Sequence, residues 1–163
     1  MKLKATARRA AEGLLRRQAK PIRRLLLATG RDRSPILPEI VQIESTNICN
    51  ARCVFCPRDE MKRRQGVMDA DLYRKVVDDC AALGIQHVRL HNYGEPFVDP
   101  RIMKRIEHIK KRLPKTELGV YSNGYALSPK RVDEIVEIGG LDYLTVSLNT
   151  LDPAKYQAIM GFN

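Results

Sequence analysis

The sequence predicts an α/β fold made of repeated strand–helix units, a parallel sheet or barrel. Four strand-like segments alternate with amphipathic helical ones, at strand spacings of roughly 26 to 30 residues. Three helices open on the same cap, Asp99-Pro100, Ser128-Pro129 and Asp152-Pro153. There a short polar side chain accepts from the free N–H groups of the first turn, and proline takes a position that needs no donor. The unusual motifs all fall at the carboxyl ends of strands, the edge where such folds carry their functional loops.

The first strand, Glu39 to Thr46, alternates Val41 and Ile43 against Gln42, Glu44 and Thr46. A loop with three cysteines follows, then a polar, basic connection from Pro57 to Met68. The next helix starts near Asp69 with Leu72, Val76, Cys80 and Leu83 as its apolar stripe, which makes Cys80 a small core residue rather than a ligand. The second strand, His87 to Tyr93, ends at Gly94-Glu95-Pro96, and its helix buries Ile102, Ile106, Ile109 and Leu113. The third strand, about Thr116 to Tyr121, ends at Ser122-Asn123-Gly124, and its helix stops at Gly139-Gly140. The fourth, Tyr143 to Thr150, sets Leu144, Val146 and Leu148 on one face and Thr145, Ser147 and Asn149 on the other. Glu44, Arg89 and His91 are further candidates to face the interior, with structural hydrogen bonding as the competing role.

With 44% apolar and 29% charged residues the chain is an ordinary globular protein rather than a disordered one. No apolar run approaches the roughly 18 residues of a membrane span, and arginines interrupt any secretory signal, so the cytoplasm is the expected location. Clustered cysteines in a reducing compartment point to metal binding rather than disulfides. The net charge of +10 is confined to one end: residues 1–34 hold eleven Lys/Arg and two acids, and the rest is nearly neutral. Two parts are therefore expected, a basic amphipathic segment over 1–34 and a core over 35–163. The segment reads as a helix packed on the body, a contact for an anionic membrane surface or polyanion, or a targeting leader.

Cys49, Cys53 and Cys56 form the central motif. Thiolates are soft ligands suited to zinc and iron–sulfur centres. A closed structural zinc site takes four protein ligands, so three thiols suggest a centre with one open position. The spacing alone leaves zinc and a ferredoxin-like site open.

Cys49-x-x-x-Cys53-x-x-Cys56 after a first strand, with Phe55 before the last cysteine and Gly94-Glu95-Pro96 after the second strand, resembles the radical S-adenosylmethionine superfamily. The resemblance runs from Glu39 to about Asn163. It implies a partial (β/α) barrel with about four βα units present, ending before the last strands. It also implies a [4Fe–4S] cluster held at three irons by Cys49, Cys53 and Cys56, with S-adenosylmethionine on the fourth. Reductive cleavage of that cofactor gives a 5′-deoxyadenosyl radical that abstracts hydrogen from a substrate. Phe55 is expected near adenine; Gly94, Glu95 and Pro96 near the cofactor's amino group; Ser147 and Asn149, and more weakly Ser122 and Asn123, near ribose. Tyr93 stands where the family more often has a glycine. The implied partners are an electron donor such as flavodoxin or ferredoxin and a small-molecule, peptide or RNA substrate. Cys56-Pro57-Arg58 with Met61, Arg63, Gly66 and Met68 looks like the subgroup often followed by a C-terminal cysteine-rich, SPASM-type domain. The competing readings are a non-catalytic iron–sulfur or zinc module, and an RNA-modifying enzyme of the same chemistry that holds RNA with its basic segment.

Overall fold

The computed structural model describes residues 38–162; the basic segment and its proposed helical, membrane and RNA-holding roles lie outside them. Strands β1 (Ile40–Ile43), β2 (His87–Leu90), β3 (Glu117–Ser122) and β4 (Tyr143–Val146) form one sheet in the order β1-β2-β3-β4. Every pairing is parallel, with Ile43 beside Leu90, Leu90 beside Val120 and Val120 beside Leu144. The intervening helices are α1 (Ala70–Ala82), α2 (Ile102–Arg112) and α3 (Pro129–Ile138), and α4 (Pro153–Met160) follows β4. The expected βα repeat is therefore present, and no helix among the described residues is long and apolar enough to cross a membrane.

Three strands are shorter than the alternation predicts, each for a visible reason. Thr46 leaves the parallel ladder to bridge Val67 antiparallel. β2 stops at Leu90 because the chain turns to bring Glu95 N–H to the Ile48 carbonyl at 2.9 Å. β4 stops at Val146 because Leu148 N–H bonds back to the Val146 carbonyl at 3.0 Å. Ser147 and Asn149 thus lie beyond the strand.

Asp69 caps α1, its carboxylate accepting from Asp71 N–H and Leu72 N–H. The buried stripe is Tyr73, Val77 and Cys80, a correction by one position, since Leu72 and Leu83 are half exposed. Tyr73 wins the inward place because its ring fills more space and its hydroxyl reaches the Arg105 carbonyl at 3.2 Å. Cys80 is 4% exposed among core residues, as its place on the stripe implies. The Asp99-Pro100 pair does not open its helix directly: α2 begins at Ile102. One Asp99 oxygen accepts from Arg101 N–H, and the other faces the Arg105 guanidinium at 2.8 Å. Ser128 and Asp152 cap α3 and α4 as predicted, each accepting an N–H of the first turn.

The sheet has two unlike faces. Val88, Leu90, Leu118 and Val120, all fully buried, pack with Ile102, Ile106 and Ile109 of α2 into the core. The opposite face is polar and aromatic. Gln42 Nε2 meets His91 Nε2 at 3.1 Å, His91 packs on Tyr121, and Arg89 lies over the Tyr143 ring while pairing with Glu117. That ring fits because Gly119 lies beneath it; a Cβ there would come within 2.2 Å. Burial and the charge of Arg89 hold His91 below the usual histidine range, which favours the neutral ring. Glu44 accepts from Tyr93 N–H and pairs with Arg63.

Two substitutions test this packing. Arg105→Met strands the carboxylate of Asp99, which is 0% exposed, and removes a cation over the Tyr73 ring. Urea denaturation is expected to register a loss of about 3–5 kcal/mol, the cost of leaving a buried charge unpaired. Gly94→Ala drives a methyl to within 1.8 Å of the Thr46 carbonyl, main chain that cannot step aside. A loss of about 3 kcal/mol is expected there, against under 1 for Gly66→Ala, which meets nothing.

Candidate functional site

The loop from Cys49 to Cys56 has almost no secondary structure of its own, so its shape is imposed from outside. Four bonds set it. Arg58, 8% exposed, donates from its guanidinium to the carbonyls of Cys49 at 2.7 Å and Ala51 at 3.0 Å. At the last turn of α4, Arg52 N–H reaches the Met160 carbonyl at 2.8 Å and Val54 N–H the Ile159 carbonyl at 3.0 Å. Gly161 makes this approach possible. It adopts the left-handed φ of 64° that ends α4, and a Cβ on it would fall 2.8 Å from the Arg52 carbonyl oxygen. Ala51, Met160 and Phe162 close into a small apolar cluster beneath the loop.

Cys49, Cys53 and Cys56 line one cavity, together with Ala51, Arg58 and Asp59. All three thiols are free and partly buried. Cys49 Sγ accepts from Ala51 N–H at 3.4 Å and from Asn123 Nδ2 at 3.7 Å, while Cys53 Sγ packs 3.6 Å from Met160 Sδ. Burial pushes the Cys53 thiol up, and the neighbouring Cys49 and Cys56 push it further, with Arg58 opposing them weakly. Thiolates so placed repel one another, and a cationic iron or zinc centre relieves that repulsion, so the donor set fits a metal. Among the described residues no group of three His, Cys, Asp or Glu side chains is arranged to hold a single metal ion.

The other predicted residues gather about Glu95. Its carboxylate, in a side chain 3% exposed, accepts from Phe97 N–H at 3.1 Å and from the Ser122 hydroxyl at 2.8 Å through Oε1. Through Oε2 it accepts from Asn123 N–H at 2.7 Å. Gly94 lies against the Thr46–Asn47 backbone, and Pro96 opens the short 3₁₀ turn Pro96–Val98. The Ser122 hydroxyl also accepts from Gly124 N–H, so its one proton and one of its lone pairs are engaged. Asn123 reaches Asn50 Oδ1 at 2.8 Å as well as Cys49. Ser147 joins through its backbone, donating to the Ser122 carbonyl, with its side chain exposed. Asn149 Nδ2 donates to Met160 Sδ at 3.0 Å. Phe55 stands apart, 64% exposed beside Val54 at the tip of the loop.

Sequence reasoning missed Arg58 and Met160 as parts of the site. Arg58 carried a faint signal as the only charge directly after Cys56-Pro57. Met160 carried none: it sits 107 residues from Cys53 and is an apolar residue in a short helix.

Comparison with known proteins accords with this geometry. A family model described as the radical SAM superfamily matches residues 43–163. The tungsten-containing aldehyde ferredoxin oxidoreductase cofactor-modifying protein of Pyrococcus furiosus is 32% identical over 120 residues, covering 73% of this chain and 33% of that protein. The GTP 3′,8-cyclase of Clostridium perfringens is 33% identical over 124 residues, covering 74% and 38%. The chain thus spans little more than a third of the length of these relatives. In fold it is similar to BtrN, crystallised with AdoMet and 2-DOIA, at a TM-score of 0.66 and 24% identity over 77% of this chain and 52% of that one. It is also similar to Streptococcus suis SuiB bound to S-adenosylmethionine, at a TM-score of 0.65 and 19% identity over 78% and 29%. The four-stranded parallel sheet, the three thiols at its carboxyl edge and the matched span together identify the chain as a member of the radical SAM superfamily.

Proposed function

We propose that this chain carries the front part of a radical-generating enzyme core, with a [4Fe–4S] cluster on Cys49, Cys53 and Cys56 and S-adenosylmethionine on the remaining iron. The reading rests on one observation: three thiols share a cavity, and the fourth cysteine, Cys80, is buried in the helical core. Cys49, Cys53 and Cys56 would hold the cluster through their thiolates, the soft donors such centres take. When bound, the two groups supply a carbon-centred radical that takes hydrogen from a substrate.

The chain's own residues bind, orient and shield. Arg58 and the last turn of α4 hold the cysteine loop in place. Glu95 and the carbonyls about Gly94 offer acceptors to the cofactor's ammonium, a charge-assisted contact of the stronger kind. Phe55, exposed at the loop tip, offers its ring face to adenine. Ser147 and Asn149, past the end of β4, are the residues we assign to ribose, whereas Ser122 and Asn123 serve by fixing Glu95 and the loop. The electron comes from a low-potential flavodoxin or ferredoxin in the cytoplasm.

Anaerobic reconstitution with iron and sulfide tests the reading. A reduced-cluster EPR signal that changes on adding S-adenosylmethionine is expected; stoichiometric zinc without iron overturns it. Cys53→Ala is expected to drop bound iron to background, while Cys80→Ala keeps the full complement, as iron analysis will register. Iron lost from both variants would make Cys80 a ligand.

A further inference from the structure

We propose that Asn123 is a positioning residue that stabilises the reduced form of the cluster by donating to the sulfur of Cys49, an inference that rests on the cluster reading above. The three sulfurs have unlike surroundings. Cys49 Sγ accepts two N–H groups, from Ala51 and from the Asn123 amide. Among the described residues the sulfurs of Cys53 and Cys56 accept none, and Cys53 meets only the thioether of Met160.

The Asn123 side chain cannot turn its donor elsewhere. Its Oδ1 accepts from Tyr125 N–H at 3.0 Å, so the NH₂ group must face the cysteine loop. There one N–H goes to Asn50 Oδ1 and the other to Cys49 Sγ. The backbone is held as firmly, by Glu95 on the N–H and by the Tyr156 hydroxyl on the carbonyl. At 9% exposure the amide is shielded from water that would otherwise compete for the sulfur.

One electron enters from the donor, and no bond forms or breaks. The added negative charge spreads onto the thiolates, where N–H donors hold it, so a donated hydrogen bond favours the reduced cluster. The Glu95–Asn123–Cys49 chain therefore connects the proposed ammonium-binding carboxylate to one corner of the iron centre.

The test is a redox titration of the reconstituted full chain followed by EPR, with iron and sulfide assayed in parallel. Asn123→Ala is expected to lower the reduced-to-oxidised ratio at a fixed potential about three- to tenfold, the worth of one hydrogen bond. Asn123→Asp keeps the size and the acceptor for Tyr125 and is expected to fall at least as far; it serves if the alanine variant misfolds. Asn50→Ala removes the neighbouring bond and leaves the one to sulfur, so it is expected to keep the wild-type ratio. A wild-type ratio in fully loaded Asn123→Ala overturns the proposal, as does an equal fall in Asn50→Ala. A wild-type chain that takes up no iron overturns the cluster reading itself. In the metal-free protein, amide exchange across residues 48–54 is expected to quicken about three- to tenfold in Asn123→Ala, and unchanged exchange removes the tether.

Discussion

A buried carboxylate must have its acceptors filled, and that requirement at Glu95 organises the edge of the sheet. Its three partners come from its own turn and from the loop after β3, so two consecutive βα connections become one unit. Asn123 passes the constraint on to the cysteine loop, and Glu95 N–H passes it to Ile48 just ahead of that loop. Removing the carboxylate would loosen its own turn, the end of β3 and, through Asn123, the cysteine loop, which makes Glu95 a structural centre of this edge.

How much of this was legible depended on distance along the chain. The three thiols, the Gly-Glu-Pro turn and the caps at Ser128 and Asp152 are local patterns, and each forms where its residues predict. The inward stripe of α1 was read one position off because Leu72 and Tyr73 are both apolar enough to face the core. The choice between them is made by Arg105, thirty-odd residues away. The burial of Arg58 and Arg105 was unreadable for a related reason: a cation goes inside only where carbonyls, a carboxylate or a ring await it, and those come from other elements. The extra residues of the predicted strands failed because local turns and a non-local bridge, from Thr46 to Val67, overrode the alternation.

The sheet's two faces divide labour by chemistry. Aliphatic residues on the helix side make a close-packed core, and the other side carries Gln42, Arg89, His91, Tyr121 and Tyr143 in mutual contact. Because those side chains satisfy one another, the face keeps its form without a hydrophobic filling.

The bonds between the last turn of α4 and Arg52 and Val54 have a consequence for biogenesis. They join the two ends of the described fold, so the cysteine loop cannot take its final shape until Ile159 and Met160 have been synthesised and docked. A nascent chain would therefore display three thiols on a loop without these two braces until that point. That interval is when the thiols are most open to oxidation.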